Sequence, residues 1–139
     1  MRALALLLLG LVAAPAPGAA PEAKVLEHHG RWESGYGAKF YNVVGRLQNT
    51  SGHAVRWVKL RIDALDERGK VVASTETYNE SAEALAVPDV KRDELLAKGK
   101  VKPLGAGAEE RFRASFLEDE TPAFKDYRVT VVETPAVKP

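Results

Sequence analysis

Three histidines are the only imidazoles available for metal or base chemistry, and the chain has no cysteine. His28 and His29 are adjacent, and neighbouring residues of a strand point to opposite faces, so the pair makes a poor bidentate ligand. His53 falls in a turn. Glu27 adds a carboxylate, but the spacing matches no zinc pattern, and surface histidines are the expectation. Nucleophilic catalysis lacks its parts: there is no Gly-x-Ser-x-Gly, and Ser51, Ser74, Ser81 and Ser115 fall in turns or on strand faces. Glu118-Asp119-Glu120 reads as a solvated acidic loop. It lacks the ligand order of a calcium loop. Gly105-x-Gly107 lacks the Lys-Ser/Thr of a phosphate loop and reads as a turn. The sequence therefore predicts no enzyme, no cofactor and no metal. Asn49-Thr50-Ser51 and Asn79-Glu80-Ser81 match the glycosylation sequon; the leader and composition are of bacterial type, so the expectation is that both are idle.

Binding chemistry has more candidates. Trp57 lies opposite an aliphatic strand face, beside Lys59, Arg61 and Asp63. An aromatic among charges can anchor a partner; the other reading packs it under an insertion or beneath the first strand. That insertion, Asn79 to Lys102, is longer than a hairpin loop. Long loops on a rigid scaffold carry binding residues, although this one could equally be a lid over a sheet edge. Lys98, Lys100 and Lys102 would put like charges on one face of an extended segment. The candidate partner-binding set is Trp57, Arg61, Leu95, Lys98 and Lys100.

The elements that must position these residues are mostly strands. Lys24–Trp32 is a candidate first strand. Phe40–Gln48 follows, with Tyr41, Val43, Gly45 and Leu47 on one face, closed by the turn cluster Asn49-Thr50-Ser51-Gly52. From Ala54 to Leu65 the alternation is cleanest: Val58, Leu60, Ile62 and Ala64 against Trp57, Lys59, Arg61 and Asp63. Period two marks a half-buried antiparallel strand. Asp66–Gly69 reads as a hairpin turn with Gly69 left-handed, and Val71–Tyr78 returns. Ser81–Ala86 holds helix formers after a cap at Asn79 or Ser81. Asp89 caps a second helix, Val90–Lys98, stopped by Gly99. Residues 98–102 return to extended chain. Glu110–Leu117 alternates Phe112, Ala114 and Phe116 against Arg111, Arg113 and Ser115. Phe124–Val132 is the last strand, and Thr134–Pro139 a flexible tail. Short strands, glycine turns and one helical insertion at about 80–100 predict a mainly β, immunoglobulin-like antiparallel sandwich of six to seven strands over residues 21–133.

The first twenty residues are a separate object. Arg2, the apolar run Ala3–Ala14 and the small residues and prolines to Ala20 form the three-part pattern of a signal peptide. A run of about 12 residues is short of the roughly 20 that span a bilayer, and no Cys follows it for lipid attachment. Over the 139 residues, 20 Lys+Arg meet 19 Asp+Glu, which gives no electrostatic case for nucleic acid. The expectation is an exported protein, periplasmic or extracellular, that meets another envelope protein through a sheet edge or the insertion. The alternative is a small-ligand or polysaccharide binder that uses Trp57 and the insertion.

The central residues also resemble a known family. Val44-Gly45-Arg46-Leu47-Gln48-Asn49-Thr50-Ser51 is followed by Val55, by Val58-Lys59-Leu60-Arg61-Ile62, and by Leu65-Asp66 with Gly69-Lys70-Val71-Val72. Leu104, Gly107 and Phe112 complete the order. This succession resembles the FxLYD-type domains of bacterial envelope and secreted proteins over roughly residues 40–132. The naming motif falls on Ile62, Ala64, Leu65 and Asp66, and only the aspartate is literally kept. The insertion at 80–100 is longer than the family pattern. The resemblance implies a small immunoglobulin-like sandwich and an exported location. It implies no activity and transfers no site residues.

Overall fold

The computed structural model describes residues 22–87 and 91–137. The leader at 1–20, the Asp89 cap and the last two residues of the tail lie outside the described residues. Six strands form two antiparallel sheets packed face to face. The first sheet has the order β1 (Ala23–Gly35), β2 (Ala38–Asn49), β5 (Glu109–Leu117). The second has the order β4 (Val71–Tyr78), β3 (Lys59–Leu65), β6 (Asp126–Glu133). This is an immunoglobulin-like sandwich with six strands.

The alternating positions build the core. Val43 and Leu47 of β2, Phe112 and Phe116 of β5, and Leu60, Ile62 and Ala64 of β3 are all buried between the sheets. Tyr41, Val129 and Val131 pack against them. Gly45 sits where the first sheet admits no side chain: a Cβ there would lie 2.3 Å from the Glu27 carbonyl and 2.7 Å from the Phe112 ring. The close approach of that ring requires the glycine.

The turns follow local chemistry. Tyr36 and Gly37 join β1 to β2 with φ of 52° and 75°, the two positive values of a type I′ hairpin turn. In the β3–β4 turn, Gly69 takes φ 80° and the Asp66 carboxylate accepts the Arg68 and Lys70 N–H groups at 2.8 and 2.9 Å. Those two amides hold the Asp66 carboxyl below the usual carboxylate range.

Several elements differ from the expectation. The β3 pairing begins at Lys59, not Ala54, because Val55 is instead taken by bridges to Leu104 and Ala136. The segment after Tyr78 opens with a 3₁₀ helix, Glu80–Ala86. Asn79 does not cap it through its side chain, which is turned to Val58 and Glu110. The α-helix is shorter than expected, α1 (Arg92–Ala97). Residues 98–100 are not extended: Gly99 takes φ 67° and the Lys100 N–H returns to the Leu95 carbonyl, a left-handed helix end. The tail does not run free from Thr134. The Pro135 carbonyl accepts the Arg56 N–H at 2.7 Å and the Val137 N–H meets the Ala54 carbonyl at 3.3 Å.

Candidate functional site

The partner-binding candidates separate into buried and exposed groups. Trp57 is only 4% exposed. Alternation sends Val58 into the main core and Trp57 the other way, into a second cluster with Tyr78, Ala82, Leu85 and Val101, against which Leu95 packs. Its indole N–H donates to Glu133 at 2.9 Å. The Arg56 and Arg92 guanidinium carbons each lie 5.1 Å from its ring, in cation–π contact. Trp57 is therefore a packed residue beneath the insertion, not an exposed anchor. Arg61 pairs with Asp63 at 3.3 Å on the outer face of the second sheet. Lys98 lies 3.8 Å from Glu94 on α1, and Lys100 is exposed beyond the Gly99 reversal. The reversal removes the single cationic face expected of Lys98, Lys100 and Lys102. The structure thus joins Trp57 to Leu95 and leaves Arg61 on a sheet face apart from that cluster.

The groups with potential for acid–base work are occupied elsewhere. Ser51 lies near His53, but the acceptors in reach of its single hydroxyl proton are Asn49 Oδ1 at 2.7 Å and the His53 carbonyl at 2.8 Å. The His53 ring meets the Ala54 carbonyl and the Glu22 carboxylate. No serine–imidazole hydrogen bond results. His28 Nδ1 lies 2.7 Å from the Tyr127 hydroxyl. Among the described residues, no three His, Asp or Glu side chains converge on a metal-sized space. Asp63, nearly buried, has burial pushing its carboxyl up; the Ser74 hydroxyl and the Arg128 and Arg61 guanidinia outweigh this and hold it below the usual range.

A cleft of about 830 Å³ opens where the first sheet meets the insertion. Its floor carries Asn42 and Val44 of β2 with Arg113 and Ser115 of β5; Thr75 to Thr77 of β4 and Glu83, Ala84, Ala86 and Val87 of the insertion wall it. A second hollow of about 530 Å³ continues along Arg46, Arg111 and Glu80. Asn79 and Glu110 fix the wall. Asn79 is fully buried; it accepts the Val58 N–H at 2.8 Å and donates to Glu110 at 2.9 Å. Glu110 also accepts the Ser81 N–H and hydroxyl. A buried amide with every group satisfied locks the chain path, so the start of the insertion is rigidly held against β5. Ion pairs Arg113–Glu83 and Arg111–Glu80 tie the 3₁₀ helix to the same strand. Glu33 accepts from Asn42 and Arg31 at the far side of the cleft, and these bonds lower its carboxyl pKa.

The edge of β5 borders this cleft. The Arg113 carbonyl accepts from the Thr77 hydroxyl at 2.6 Å, so the backbone of residue 113, and by alternation that of 111, 115 and 117, faces away from β2. Sequence reasoning placed β5 and the insertion but missed this edge. Its parts are far apart in the chain, and no local pattern shows that a strand has no second backbone-paired partner.

No family model matches the chain, and no curated protein or solved structure matches it. No helix among the described residues is long and apolar enough to cross a membrane.

Proposed function

We propose that this protein is an exported, non-catalytic interaction module of the bacterial cell envelope, and that it meets another envelope protein through the β5 edge and the cleft beside it. One observation carries the reading. The two sheets have four edge strands, β1, β5, β4 and β6. The pairings of β1, β4 and β6 are each interrupted by a register shift, whereas β2 and β5 pair without a break from Phe40–Leu117 to Gln48–Glu109. Bulges are a common guard against edge-to-edge pairing. β5 lacks that guard and contains no proline. The apolar leader and the resemblance to FxLYD-type domains support the exported setting. Burial of Trp57 leaves the polysaccharide alternative without its stacking ring.

In-cell photo-crosslinking tests the reading. Probes replace Ser115 and Glu83 in the cleft, with a control at exposed Arg68 in the β3–β4 turn. A specific protein adduct at the cleft positions and none at Arg68 is expected. A folded, exported protein with no protein adduct at either cleft position would overturn the proposal.

A further inference from the structure

We infer that a second copy of this chain docks along the outer edge of β1. The two β1 strands run antiparallel about a two-fold axis at Trp32, and the three-stranded first sheets of both copies become one continuous sheet. β1 lies at the opposite edge of that sheet from β5, so the inference stands apart from the cleft. Backbone geometry, side-chain size and the order of charges carry it.

The β1 edge is open. Tyr36 and Gly37 form a two-residue turn, so the flanking Gly35 and Ala38 exchange both of their backbone hydrogen bonds, and the ladder alternates from there. Gly35, Glu33, Arg31 and His29 turn their backbone groups to β2. Ser34, Trp32, Gly30 and His28 turn theirs outward. Among the described residues, no backbone group outside the β1–β2 ladder pairs with that outward row. The second sheet meets this strand through side chains on the inner face: the Tyr127 hydroxyl lies 2.7 Å from His28 Nδ1, and the Phe124 ring 5.7 Å from that of Trp32. The register shift between Val25 and Glu27 guards only the start of the strand; from Glu27 to Gly35 the register is unbroken.

Side-chain size suits self-pairing. The inner-face row at the edge is Gly30, Trp32, Ser34, and Trp32 is 41% exposed. Gly30 admits no side chain, because a Cβ there would lie 2.6 Å from the Tyr41 ring. An axis at Trp32 sets each indole beside that of the other copy and each Gly30 opposite a Ser34. Every large ring then has small residues beside it and diagonally across, and the two exposed rings bury one another.

Charge fixes the register. Arg31 and Glu33 pair with each other on the outer face at 2.9 Å, so the strand has no net charge there to attract or repel a copy. Their order is what matters. With the axis at Trp32, Arg31 faces Glu33 of the other copy and Glu33 faces its Arg31, a closed ring of alternating charges. The nearest registers that keep the outward groups facing have the axis at Arg31 or Glu33. These set Arg against Arg or Glu against Glu, and like charges directly opposite are destabilising. Each copy presents the same patch to the other, as a closed two-fold dimer requires.

Sedimentation equilibrium of the full exported chain tests this, with a monomer–dimer equilibrium as the expected result. Ser34→Pro removes an outward N–H without touching the β2 ladder, Trp32→Ser removes the central ring, and Arg31→Glu opposes like charges. Each should weaken the dimer at least about tenfold. Arg31→Glu combined with Glu33→Arg should restore it, which keeps the test decisive even if Ser34→Pro fails to fold. The chain has no cysteine, so disulfides read the register. Facing positions of this kind lie about 4.5 Å apart at Cα, within disulfide reach. An oxidised mixture of the Arg31→Cys and Glu33→Cys variants should give chiefly the mixed disulfide. A protein that stays monomeric at millimolar concentration would overturn the inference. An unweakened dimer in Trp32→Ser and Arg31→Glu would place the contact elsewhere and overturn it too. Failure of the charge exchange to restore the dimer, or disulfides formed chiefly by one variant with itself, would overturn the axis at Trp32.

Discussion

The main core and the small cluster under the insertion hold this chain in opposite ways. The main core is made of strand residues at period two, so each strand contributes a row of side chains to a common layer. The small cluster draws Trp57, Tyr78, Ala82, Leu85 and Val101 from separate segments, and only Leu85 and Ala82 share an element. A layered core is cooperative because every row touches several others. The small cluster is joined to the body by few connections: the Trp57 ring, the Asn79–Glu110 network and the ion pairs along β5. The difference teaches that the insertion is held to the sandwich by a few specific links at its start and beneath Trp57, not by a shared layer of core side chains.

Mutations can break that comparison, and the largest effect belongs to the main core. Ile62→Ala should lower global stability by about 4 kcal/mol, through lost burial plus the cavity left behind. Urea unfolding checks it, and every strand should be affected alike. Leu85→Ala should cost about 2 kcal/mol and act locally. Hydrogen exchange should accelerate across 79–102 while the amides of β3 keep their protection. Equal acceleration in β3 would show one cooperative unit instead of two. Asn79→Ala leaves the buried Val58 N–H without a partner and removes one of the hydrogen bonds to Glu110, at a cost of about 1–3 kcal/mol. It should loosen the insertion more than Leu85→Ala loosens the sandwich, again read by site-resolved exchange.

Acid sharpens the comparison from the other side. The Asp63 carboxyl is held down by Ser74, Arg128 and Arg61 against the opposing effect of burial, and it ties β3 to β4 and β6 of the body. A depressed folded pKa means stability that is present above the ordinary carboxylate range and lost as pH falls through the folded value. Acid titration of the wild type should weaken the second sheet in that window, and Asp63→Asn should flatten that limb of the curve. The smallest change, of opposite sign, is expected at Tyr36. This residue is fully exposed and left-handed, a conformation that Asn adopts more readily than Tyr. Tyr36→Asn should raise stability by up to about 1 kcal/mol, seen as a higher melting temperature with the insertion's exchange unchanged.

The same contrast explains what was legible in the sequence. Val58 to Ala64 and Phe112 to Phe116 announce their buried faces by alternation, and Asp66 with Gly69 announces its turn. The two sheets and their hairpins follow from such local signals. For Trp57 the alternation leaves both anchoring and packing beneath the insertion open, and the groups that cover it come from the insertion, Arg92 among them, and from Arg56. Asn49 and Asn79 look like turn and cap residues. Asn49 does accept the Ser51 N–H two residues on, but its amide also reaches across to the Leu104 and Gly105 carbonyls, while Asn79 reaches to Val58 and Glu110. Neither long-range partner has a sequence signature. The β5 edge is invisible for a related reason: it is defined by β4 lying against it without pairing through the backbone.

Val55 bridges both Leu104 and Ala136, joining the middle of the chain to the turn before β5 and to its last described residues. Contacts so distant in sequence form late and slowly. The entry to β3 is thus closed only after the final strand has arrived. While its last residues are still being synthesised, the chain holds its central strand without β6 and without the Val55 bridge to Ala136.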